Sequence, residues 1–124
     1  MKKYLAILPL VVVITACGGF KTTVQRSMMT STAFAHTRMS VWAPYYDAKR
    51  AEPGQPEGNI IHLDAARAQI DDSSRKFAAT VTLLDNQVAA YDTNKTLKVN
   101  IIASLETLGN QASNIVWLVE YFKH

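Results

Sequence analysis

Hydrophobic positions are most regular in the last quarter of the chain. Leu97, Ile101, Leu105, Leu108, Ala112, Ile115, Val119 and Phe122 follow one another in steps of four and three, the spacing of a heptad seam. The seam is under four heptads long, so it suits an intramolecular bundle as well as a coiled coil. Gly109 lies inside it, where glycine costs about 1 kcal/mol relative to alanine. Upstream, Leu63, Ile70, Phe77, Leu84 and Tyr91 recur every seven residues, with Val81 and Val88 filling the stripe, as a core-facing helix requires. Arg67, Asp71, Arg75 and Asp85 occupy the opposite face. No strand-like alternation competes.

Between these two segments, Asp92-Thr93-Asn94 supplies turn and capping chemistry. So short a connection favours antiparallel neighbours, and predicts a hairpin with arms of roughly 40–45 Å at 1.5 Å per residue. The alternative is one uninterrupted helix through Asp92, used in an oligomer. A weaker apolar stripe, Val24, Met28, Ala35, Val41 and Trp42, predicts a further helix from Thr22 to about Ala43. Its Ser and Thr residues lower helix propensity, and Pro44 predicts its end, because the residue before a proline is biased away from helical angles. The stretch 47–59, DAKRAEPGQPEGN, holds two prolines and two glycines and reads as a surface loop, with Asn59 as the next N-cap. The expected fold is all-α: an up-down-up three-helix bundle, or a long antiparallel hairpin plus an N-terminal helix, in a single domain over 22–124.

The N-terminus has a different character. Lys2 and Lys3 precede an apolar run from Leu5 to Ile14, interrupted by Pro9. A spanning helix needs roughly 20 apolar residues, so this run reads as a signal segment removed from the mature chain. It ends in Ile14-Thr15-Ala16-Cys17, followed by Gly18-Gly19. This resembles the lipobox of bacterial membrane lipoproteins: an aliphatic residue, two small ones, then cysteine. The resemblance covers the first nineteen residues only. It implies cleavage after residue 16, a diacylglyceryl thioether on Cys17, and a short lipidated tether over 17–21. In enteric-type Gram-negative cells, a residue other than aspartate after the cysteine favours the outer membrane, so Gly18 implies its periplasmic face if the source is such a cell.

Cys17 is the sole cysteine. With lipid on its sulfur, the mature chain has no thiol for a disulfide, a nucleophile or a metal. The mature part keeps 11 Lys and Arg against 10 Asp and Glu, a net of +1, with no basic stripe for nucleic acid to bind. His62 and Asp64 form an HxD pair, but residues two apart on a helix point about 200° from one another. Adjacent acids Asp71 and Asp72 also diverge, and Arg75 and Lys76 stand ready as their helical partners. No GxSxG, phosphate loop or HExxH is present. The expectation is a non-catalytic protein with no cofactor beyond the covalent lipid.

In the up-down-up arrangement Trp42, Tyr45, Tyr46, Trp117, Tyr121 and Phe122 gather at the end remote from the tether, six of ten aromatics in the mature chain. The consecutive apolar residues Ile115 to Val119 exceed what one helical stripe buries. Either the first helix and the 47–59 loop cover them, or Trp42, Tyr45, Tyr46, Trp117 and Tyr121 form a patch for a partner or a second copy. The format resembles pilotins and accessory subunits of secretion and conjugation machines, without a shared motif. Two other classes compete. One is a structural lipoprotein like the murein-linked type, which joins a lipobox to heptad helices; its C-terminal lysine is replaced here by His124, and prolines interrupt the rod. The other is an exclusion lipoprotein of plasmid or phage origin.

Overall fold

The structure, a computed structural model, describes residues 19–123. The signal segment, the lipobox with Cys17, Gly18 and His124 lie outside the described residues. Three helices account for nearly all of the rest: α1 (Phe20–Arg50), α2 (Glu57–Tyr91) and α3 (Lys98–Lys123). A single 3-10 turn, Lys95–Leu97, leads into α3. Among the described residues there is no strand, and no helix is long and apolar enough to cross a membrane.

Cross-helix contacts fix the directions. Lys21 at the start of α1 pairs with Asp92 just past the end of α2, at 2.9 Å. At the other end Tyr46 of α1 reaches Asp64 near the start of α2, and the Tyr45 hydroxyl reaches the last carbonyls of α3. The order is therefore up-down-up, with α1 and α3 parallel. The long-hairpin expectation holds, and the first helix closes it into a three-helix bundle. α3 packs along both partners, whereas α1 and α2 meet each other much less.

The seam of α3 is buried from Ile101 through Leu105, Leu108, Ala112 and Ile115 to Val119, with Gly109, Val116 and Leu118 buried beside it. Leu63, Ile70, Phe77, Leu84 and Val88 supply the α2 side. Tyr91 and Val81 are partly buried against that core. From α1 come Val24, Met28, Ala35, Trp42 and Tyr46, along with Ser27 and Ser31. Val41, placed on this stripe from its sequence, instead faces outward at 37% exposure.

Two boundaries differ from the sequence reading. α1 does not stop near Ala43; it runs through Pro44 to Arg50. A proline in a helix interior lacks one N–H and crowds the carbonyl four residues back. The turn after it is held by tertiary contacts, since Trp42 and Tyr46 lie one turn apart in the core and Tyr45 is anchored on α3. The many hydroxyls are also absorbed locally: Thr23, Thr30, Thr37 and Ser40 donate to carbonyls four residues back, a bond compatible with helix. The loop, in turn, is not 47–59 but the six residues 51–56. Gly54 turns the chain there with φ +76°. Pro56 takes the N-cap position with extended angles and no side-chain cap, and Glu57 puts an acid in the first turn, where the helix dipole suits it. Asn59 is thus already helical, and its N–H bonds to the Pro56 carbonyl at 3.0 Å. At the second turn Asn94 acts as predicted, accepting from the Thr96 N–H at 3.2 Å.

Candidate functional site

The end of α1, the start of α2 and the end of α3 converge, and the aromatics divide there by helical phase. Trp42 is 3% exposed and Tyr46 7%. Their rings lie 6.0 Å apart, with Tyr45 5.7 Å from Trp42. The sequence leaves core and docking patch open for all three. Trp42 and Tyr46 are core residues, because continuation of α1 through Pro44 sets them on one inward stripe.

Tyr45 is half-buried. Its hydroxyl donates toward the carbonyls of Phe122 and Lys123, at 3.5 and 3.2 Å, and so satisfies the end of α3, where carbonyls lack helical partners. The ammonium groups of Lys49 and Lys123 stand 5.9 and 5.8 Å from its ring centre. The Tyr46 hydroxyl donates to Asp64 at 2.7 Å, and Arg50 approaches the same carboxylate at 3.5 Å. Arg67 lies 5.0 Å over the Tyr46 ring. Hydrogen bonding with the Tyr46 hydroxyl, with the Asp71 carboxylate also close by, raises the Arg67 guanidinium above its usual value, and an arginine there is a cation throughout.

Trp117 and Tyr121 behave differently. They occupy successive turns on the outer side of α3, 38% and 59% exposed. Their rings stack at 5.1 Å with an interplanar angle of 16°. Tyr121 also meets Phe122 edge-on at 5.0 Å, and His62 of α2 meets the Phe122 ring edge-on at 5.7 Å. Beside this stack opens a cleft of about 590 Å³, bounded by Tyr45, Lys49, Gln55, Asn59, His62 and Tyr121. Gln55 holds the 51–56 loop against α1 through the Lys49 carbonyl. Arg38 and Glu120 pair at 2.8 Å nearby, tying α1 to α3 where the aromatic end begins.

The arrangement offers stacking faces, amides and charges to a ligand. His62 turns toward Phe122 while Asp64 turns toward α1, so the HxD pair splits. Among the described residues no group of three His, Cys, Asp or Glu side chains is placed to hold a metal ion. Asp71 pairs with Arg67, and Asp72 with Arg75 and Lys76. The cleft residues Lys49, Gln55, Asn59 and His62 were not singled out from sequence for this site. They come from a loop, two helix ends and a first turn, and no spacing rule joins them. No family model matches the chain, and neither the curated proteins nor the solved structures contain a significant match.

Proposed function

We propose that this chain is a lipid-anchored envelope protein that acts as a non-catalytic interaction module. The exposed Trp117–Tyr121 stack beside the open cleft is the observation that carries the docking part of this reading. Trp and Tyr are the side chains that most often anchor protein interfaces, and here two of them stack outside a bundle whose other aromatics are largely packed. The anchoring part rests on Ile14-Thr15-Ala16-Cys17, with Gly18 favouring the periplasmic face of the outer membrane. The partner is then another envelope protein, in the manner of a pilotin or accessory subunit. The turns at 51–56 and 92–94 weigh against the rod-like structural alternative.

The test is affinity purification of the lipidated protein from membranes, beside Cys17→Ala and Tyr121→Ala forms. A partner held by the parent and lost from Tyr121→Ala, with helicity unchanged, supports the docking role. A partner retained equally by both forms removes the stack from it, and a bound small molecule in place of a protein favours a carrier. Acyl groups missing from Cys17 would end the anchoring part.

A further inference from the structure

The opposite end of the bundle has its own chemistry. Phe20, which opens α1, meets Tyr91, which closes α2, at 5.0 Å. Lys98, which opens α3, holds its ammonium 5.1 Å over the Phe20 ring, and Lys95 lies 4.3 Å over Tyr91. Lys21 pairs with Asp92 at 2.9 Å, and Lys95 reaches the other oxygen of the same carboxylate at 3.9 Å. Asp92 is the one acid in 19–23 and 91–99, against Lys21, Lys95 and Lys98. The Lys95 side chain remains 66% exposed, and Val99 beside Lys98 is 73% exposed. Aromatic rings, snorkelling lysines and an exposed aliphatic group are the composition that suits a membrane–water interface.

Chain length says what faces this end. Phe20 follows Cys17 by three residues, which span at most about 11 Å when fully extended. That is comparable to the Debye length of roughly 8–10 Å at physiological salt, so lysines at this end sit within the field of a charged surface. The starts of α1 and α3 add partial positive charge there, offset in part by the end of α2.

We propose that the Phe20–Tyr91–Lys95–Lys98 end docks on anionic phospholipid headgroups, so that the bundle stands on its membrane by a basic aromatic foot and is not merely leashed to it. The inference rests on the lipidation of Cys17 proposed above. The acyl chains hold the protein, and the foot sets its orientation, presenting the Trp117–Tyr121 end away from the bilayer.

The lipidated full-length protein, reconstituted in vesicles, tests this by amide hydrogen exchange, with intact mass recorded for the acyl groups. The non-helical turn at 92–94 and the 3-10 turn after it are the reporters. On vesicles containing phosphatidylglycerol their exchange is expected to slow by about tenfold or more relative to pure phosphatidylcholine. High salt and the double substitution Lys95→Glu/Lys98→Glu should each remove the difference while leaving the acyl mass in place. Equal exchange on the two vesicles, with acyl groups present, overturns the foot and leaves the anchor standing. A mass without acyl groups overturns both.

Discussion

The hydroxyl of Tyr46 and the carboxylate of Asp64 meet at 2.7 Å across the junction of α1 and α2, closing the turn that contains the 51–56 loop. Tyr46 lies two residues beyond Pro44, so this bond helps to hold the part of α1 that its proline weakens. Tyr46→Phe is expected to cost about 1 kcal/mol, the ordinary net worth of such a bond. Tyr46→Ala, which also empties a core site, is expected to cost about 3–5 kcal/mol. Urea denaturation of the two variants separates the bond from the ring.

Pro44 is a second point of contrast. Its ring fills a helix interior position that is exposed to solvent. Pro44→Ala restores an N–H and relieves crowding, and loses some restriction of the unfolded chain. The expected net is a gain of about 2 kcal/mol, read as a higher denaturation midpoint with unchanged helicity. A loss of stability would mean that the bundle depends on the proline geometry.

Helical phase separates core from surface on α3. Leu105→Ala is expected to cost about 2–5 kcal/mol, since its side chain is almost fully enclosed. Tyr121→Ala should cost under about 1 kcal/mol. Trp117→Ala, more covered by its neighbours, is expected at about 1–3 kcal/mol. Thermal and chemical denaturation of the three rank them. A Tyr121→Ala penalty equal to that of Leu105→Ala would mark the stack as structural and count against a docking role.

The Lys21–Asp92 pair makes a pH prediction. The hydrogen bond from Lys21 and then its charge hold the Asp92 carboxyl below its ordinary value of 3.8. The pair's contribution is therefore fully present above 3.8 and disappears as pH falls from there through the lowered value. Asp92→Asn should lower the Tm slightly at neutral pH, and the two proteins should converge in acid. Both groups are exposed, so added salt should also shrink the difference.

Much of this fold was legible because α2 and α3 carry their core residues at a strict seven-residue repeat with few interruptions. α1 was harder to read. Pro44 signals an end that Trp42 and Tyr46 override, and a rule about local angles carries no information on tertiary anchors. The loop is shorter than expected for a related reason: Asp47 to Arg50 continue α1, and Glu57 to Asn59 open α2, though the stretch reads as loop. The convergence of aromatics at one end followed from topology alone. That Trp42 and Tyr46 of α1 point inward did not, because it depends on α1 continuing through Pro44, and Val41 and Trp42 exchange roles with a rotation of about 100° per residue. The cleft was invisible to any pattern, since Gln55, Asn59 and His62 become its walls only once the short loop is folded back.

α3 is the shared partner of α1 and α2, and of these three helices it is synthesised after the other two. Until it emerges, α1 and α2 have little to close on but each other, and the largest apolar residues of α2 have no seam to enter. Closure of the common core therefore waits for α3, and a chain cut back before Ile101 is expected to lack the seam that α1 and α2 share.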